Sequence, residues 1–172
     1  MPKSDQGIEV SLKRERYTAI PRTLVFITRG DCVLLLRGSA RKRIWANKYN
    51  GIGGHIERDE DIYSAARREV IEEAGLEVER LRLVGLINID GDQPTGILLF
   101  VFVAESQSGD PISSEEGPLE WIERDQITQV DLVEDLPVIL PRALAQPIGA
   151  APFFAHYRYT DQEQLVIRFA EG

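Results

Sequence analysis

Apolar residues along this chain fall into short blocks separated by polar turns, and their spacing changes from block to block. "TLVFITRGDCVLLLRG", residues 23–38, holds two apolar runs around Arg29-Gly30-Asp31, the pattern of two strands joined by a tight hairpin. From about Glu60 to Ala74 the period becomes helical. Tyr63, Ala66, Val70 and Ala74 fall on one stripe with charges elsewhere, and Gly75 supplies a stop. "LRLVGLINI" and "GILLFVFVA" predict further strands around the turn-rich "DGDQPT", and "PLEWIERDQI" predicts a shorter one. "VEDLPVILPRALA" predicts a short helix opened by acids, with Pro137 tolerated in its first turn and Pro141 limiting or kinking it. "FFAHYRYTDQEQLVIRF" predicts a closing hairpin. Strands on both sides of the acidic helix imply an α/β fold, a mixed β-sheet packed by helices in an α/β/α layering. Residues 1–20 are polar and read as a flexible lead-in, leaving 21–172 as a single domain.

Composition narrows the classes of function. With 172 residues, 43% hydrophobic and 28% charged, the chain has the make-up of one globular domain. A formal net charge of −8 repels nucleic-acid polymers, whereas a small polyanion can be admitted by bound cations that cancel the local charge. Cys32 is the one cysteine, so no internal disulfide can form, and its place in "GDCVLLLRG" is that of a small strand residue. The longest apolar run, "ILLFVFVA", is too short to span a bilayer. A cytoplasmic protein without membrane partners is expected; oligomeric state stays open.

The richest chemistry lies in "GGHIERDEDIYSAARREVIEEAGL", residues 53–76. On a helix Glu69, Glu72 and Glu73 share a face, and like charges so placed repel. Arg68 can reach Glu72 at i+4 and Glu60 beyond the helix start, leaving Glu69 and Glu73 in need of another positive partner. A hard divalent cation suits them, because Mg²⁺ takes oxygen ligands and is typically held by a few carboxylates together with substrate phosphates. The glycines of "NGIGGH" let the backbone approach and offer its own polar groups. Glu57, Asp59 and Asp61 read as ordinary surface charge. Neither His55 nor His156 has a partner in a zinc-ligand pattern.

The same stretch matches G-x5-E-x7-R-E-U-x-E-E-x-G-U, U being a bulky aliphatic, at Gly54, Glu60, Arg68, Glu69, Val70, Glu72, Glu73, Gly75 and Leu76. It therefore resembles the signature of the Nudix hydrolase family. The resemblance implies the family's α/β/α sandwich and hydrolysis of a nucleoside diphosphate linked to another moiety, with Mg²⁺ or Mn²⁺. It implies that Glu69, Glu72 and Glu73 face the metal with a backbone carbonyl near Gly54, that Arg68 orients the glutamates, and that Glu60 anchors the loop. It also makes Glu69 the first candidate for the base, with Glu73 in reserve.

A narrower resemblance, over about Thr23 to Phe169, is to the MutT-like group acting on oxidised purine nucleoside triphosphates. It implies that Asn50 of "YNGIGGH" contacts the base and that Glu134 and Asp135 of "LVEDLP" read the purine edge. Glu134 and Asp135 can equally be acids at a helix N-terminus, favoured by the macrodipole. By the same resemblance Glu116 aligns with an extra metal-binding glutamate, with a solvated loop acid as its alternative. Arg37, Arg41, Lys42 and Arg43 could steer phosphates or simply be solvated, and Trp121 reads as core. ADP-ribose, dinucleotide polyphosphates or other nucleotide derivatives are alternative substrates. A non-catalytic ligand-sensing module is the alternative outside enzymology.

Overall fold

The computed structural model describes residues 17–40, 45–91, 94–113 and 116–171. In chain order the elements are β1 (Thr18–Arg29), β2 (Cys32–Arg37), β3 (Tyr49–Asn50), α1 (Ile62–Ala74), β4 (Glu79–Asp90) and β5 (Thr95–Glu105). They are followed by β6 (Leu119–Glu123), α2 (Leu136–Ala145), β7 (Phe153–Tyr159) and β8 (Leu165–Phe169). These strands form one eight-stranded sheet in the order β3-β2-β1-β5-β4-β7-β8, with β6 on the other side of β2. It is mixed: β1 runs parallel to β5 and β4 parallel to β7, while the other pairs are antiparallel.

The hairpin expected at Arg29-Gly30-Asp31 is present, with Arg29 opposite Cys32. Alternation along β1 and β5 then supplies two cores. Val25, Ile27, Phe102 and Ala104 face α1, where Ala66, Val70 and Ala74 meet them. Leu24, Phe26, Val101 and Val103 face the other way, toward Leu136, Ile139, Leu140 and Ala143 of α2. Helices on both faces give the expected layering. Pro137 does sit at the start of α2 and Pro141 inside it. Trp121 packs against the α1-side core and carries the Arg29 guanidinium on its ring, 4.4 Å from the centroid, as a structural residue would.

Three expectations are corrected. The polar lead-in does not extend to residue 20. β1 begins at Thr18 because its pairing with β5 continues to Thr95, and this tertiary partner orders a segment whose own pattern is weak. Residues 1–16 lie outside the described part. Tyr63 is 44% exposed and does not share the buried stripe of α1, being in the first turn at its margin; Ala65 and Glu69 are buried instead. Asp61 is no idle surface charge. It caps α1, accepting the N–H groups of Tyr63 and Ser64 at 2.8 and 3.0 Å.

Candidate active site

The glycine segment after β3 runs antiparallel along β1. Val25 and Ile52 exchange backbone hydrogen bonds, the Thr23 N–H donates to the Gly54 carbonyl at 2.9 Å, and the Ile56 N–H donates to the Pro21 carbonyl. This lays the loop against α1 from Arg68 to Glu73. At Gly53 the backbone has φ +149°, a region that favours glycine, and its N–H donates to Glu73 Oε2 at 3.2 Å. At Gly54 the issue is space: a Cβ there would lie 2.6 Å from Glu69 Oε1. The missing side chain lets a helix carboxylate rest directly against the loop backbone.

Arg68 organises the acids. Its Nε and Nη2 bind Glu60 at 3.0 and 2.7 Å, and Nη2 also donates to the His55 carbonyl. Its Nη1 donates to Glu69 Oε1 at 2.9 Å and to Glu72 Oε2 at 3.0 Å. All five guanidinium donors are thus used. These hydrogen bonds raise the pKa of Arg68 further, so it stays charged, and Arg68 together with the Glu57 N–H holds the Glu60 carboxyl below its usual range. The reach of Arg68 to Glu72 and Glu60 is as expected, but Glu69 does not wait for another partner. It is 8% exposed and takes the same arginine nitrogen as Glu72, because the long side chain of residue 68 folds over its neighbour.

A second set of polar groups faces the same cleft from the α2 side of the sheet. Tyr49 pairs with the segment before α2: its N–H donates to the Asp131 carbonyl, and its own carbonyl accepts the Val133 N–H. Asn50 is thereby brought to the cleft that Glu134 and Asp135 line, with its Oδ1 accepting the Gly51 N–H at 2.8 Å. Asp135 occupies the N-cap position of α2, yet its side chain makes no capping bond. Instead it accepts the Tyr157 hydroxyl at 3.3 Å, while Glu134 accepts the Tyr159 hydroxyl at 3.5 Å and the Leu165 N–H at 3.4 Å. Burial first, and the charge of Glu134 as well, push the Asp135 carboxyl above its usual range.

One cleft of about 790 Å³ contains both sets. Glu69, Glu72 and Glu73 line it from α1 and Glu134 and Asp135 from the segment before α2, beside Asn50, with Leu24, Ile89 and Leu99 among the apolar residues of its wall. Glu116 lines it too. Arg41, Lys42 and Arg43 lie outside the described residues; Arg37 is at the end of β2, 4.0 Å from Glu120.

Comparison with known proteins is decisive at the level of family: the NUDIX domain model matches residues 19–143. This chain is a Nudix hydrolase. It is 32% identical over 145 residues to a mouse protein named oxidized purine nucleoside triphosphate hydrolase, covering 84% of this chain and 89% of that one. It is also 33% identical over 138 residues to the NAD-capped RNA hydrolase NudC of Pseudomonas aeruginosa, covering 76% of this chain but only 46% of that protein. Among solved structures it resembles a mutator MutT protein from Bacillus halodurans, with a TM-score of 0.73 and 25% identity over 87% of this chain and 97% of the other.

Nudix hydrolases use divalent metal cations and act on small nucleotide substrates. The donors present here fit a hard cation: they are carboxylate and carbonyl oxygens, and one nitrogen of Arg68 between Glu69 and Glu72 shows that these two can share a positive charge. Among the described residues, no three acids already form a closed metal cluster. Glu69 and Glu72 are gathered on Arg68, and Glu73 is turned to the Gly53 N–H. The Gly54 carbonyl keeps one lone pair beyond its bond to Thr23.

Tyr157 and Tyr159 escaped sequence reasoning. A signal existed, since Phe153, Ala155, Tyr157 and Tyr159 alternate along β7 and so share its inward face. Nothing local connected that face to residues 134 and 135.

Proposed function

We propose that this Nudix hydrolase is a Mg²⁺-dependent nucleoside triphosphate diphosphatase that acts on oxidised purine nucleotides in the cytoplasm, releasing a monophosphate and pyrophosphate. One observation carries the reading: a single cleft is lined both by the Arg68-ordered glutamates and by Asn50, Glu134 and Asp135. The triphosphate suits the first set, and an amide beside two carboxyls offers the mixed donors and acceptors that a purine edge requires. The activity for which the mouse relative is named agrees with this assignment.

In this reading Glu69, Glu72 and Glu73, with the Gly54 carbonyl and Glu116, hold the cation. When bound it neutralises phosphate charge and lowers the pKa of the attacking water. Arg68 keeps Glu69 and Glu72 aligned, and Glu69 accepts the proton of the water, with Glu73 as its substitute. Water oxygen bonds to phosphorus, the phosphoanhydride bond breaks, and its electron pair leaves with the departing phosphate group. Glu69→Gln and Glu73→Gln are each expected to lower kcat by about 10²-fold or more.

The test is incubation with Mg²⁺ and 8-oxo-dGTP beside dGTP, with pyrophosphate as the measured product. Preference for the oxidised nucleotide is expected; equal turnover, or none of it, overturns the substrate assignment. The likeness to NudC favours one second reading, a dinucleotide-type substrate, and NADH and ADP-ribose in the same panel decide between them. Retention of every signature glutamate argues against a sensing module without turnover.

A further inference from the structure

The α2 side of the cleft is built by β7 and β8 as much as by α2 itself. Tyr157 is 2% exposed, so its hydroxyl needs a partner within the protein, and that partner is Asp135 Oδ2. Tyr159 lies two residues on, on the same strand face, and meets Glu134 Oε2, while the Leu165 N–H meets the other oxygen of that carboxyl. Both carboxyls are therefore oriented from outside their own helix.

Among the described residues, no lysine or arginine pairs with either acid. Two adjacent carboxyls held without a cation repel when both are charged, so they favour a state in which one keeps a proton. Asp135 is the more buried of the two, and burial moves its carboxyl toward the protonated form. A carboxylic acid and a carboxylate side by side present one donor and several acceptors. Which oxygen carries the donor depends on how each group is turned. A phenol hydroxyl donating to Oδ2 leaves Oδ1 as the oxygen of Asp135 open to a proton or to a donor of the base.

We infer that Tyr157 and Tyr159 are positioning residues for base recognition, fixing the orientation of Asp135 and Glu134 and hence the donor–acceptor pattern shown to the base. This rests on the reading that this side of the cleft takes the base.

The groups facing Asp135 are Tyr157 and Tyr159 from β7, Glu134 beside it, and the backbone N–H groups at the start of α2. The Tyr157 hydroxyl favours the carboxylate form of Asp135; without it the protonated acid persists to higher pH.

The experiment compares the full chain with Tyr157→Phe and Tyr159→Phe, each of which keeps the ring and deletes only the hydroxyl. KM and kcat are measured for 8-oxo-dGTP and dGTP across pH, beside Glu134→Gln and Asp135→Asn. Each tyrosine variant is expected to raise KM for the preferred nucleotide about three- to tenfold with kcat within twofold. Discrimination between the two nucleotides shrinks, and in Tyr157→Phe the alkaline fall of kcat/KM moves to higher pH. Unchanged KM, discrimination and pH profile in both tyrosine variants, with discrimination altered in the acid variants, overturns the inference and leaves the base site standing. If the acid variants also discriminate as the parent does, the base-site reading fails. Should Tyr157→Phe melt early, Tyr159→Phe, at a partly exposed position, decides alone.

Discussion

Glu60 is held to Arg68 by two hydrogen bonds and to the Glu57 N–H by a third, and its carboxyl titrates below the usual range as a result. The native state then binds fewer protons than the unfolded chain, so stability rises with pH through that interval. The contribution is fully present above the ordinary glutamate pKa and is lost as pH falls through the lowered one. Urea melts of Glu60→Gln from neutral pH down to about pH 2 are expected to show lower stability at neutral pH and a flatter acid side than the parent. Parallel curves would mean that the ion pair contributes nothing. Helical spacing made only the Arg68–Glu72 pair legible; the reach to Glu60 lies beyond the helix start, and its anchoring role was implied by the family resemblance. It did not reveal Asp61 as a cap, since a cap is recognised only against a helix start that was itself misplaced by two residues.

At the scale of elements, the site depends on how closely the glycine loop lies on α1. Gly54→Ala would put a methyl group against the Glu69 carboxylate, a contact that neither a buried acid nor a loop hydrogen-bonded to Thr23 can easily relieve. A drop in kcat of about tenfold or more is expected, with destabilisation of about 1–3 kcal/mol and an unchanged far-UV spectrum. An active Gly54→Ala would show that the loop moves freely. The two helices and most strands could be read from period and punctuation, including Pro137 at the start of α2. Tyr63 and the first residues of β1 could not, because the first depends on where the sheet ends and the second on a partner strand far along the chain.

For the whole molecule, a chain of net charge −8 that gathers glutamates around one arginine should be stabilised by the cation it lacks when stripped. After dialysis against a chelator, hydrolysis is expected to disappear and Tm to fall. Mg²⁺ at about 100 times its Kd restores both, a linkage gain of about 2.7 kcal/mol. No change of Tm with Mg²⁺ would count against a cation site in the native state. That the chain handles phosphates could be read within one contiguous motif. The cleft itself could not: residues 50, 134 and 157 meet only after β3 pairs with the segment before α2 and β7 joins β4. No local pattern encodes those distances.

β1 separates the two sides of the cleft by adjacent residues. Thr23 is tied by its N–H to the glycine loop over α1, while Leu24, pointing through the sheet, joins the core beneath α2. Their separation is set by a strand bonded along its length to β5 and cannot stretch. The cleft therefore works as a gauge. In the proposed reading, a nucleotide is judged by its length and its base together, because one strand underlies both sets of contacts.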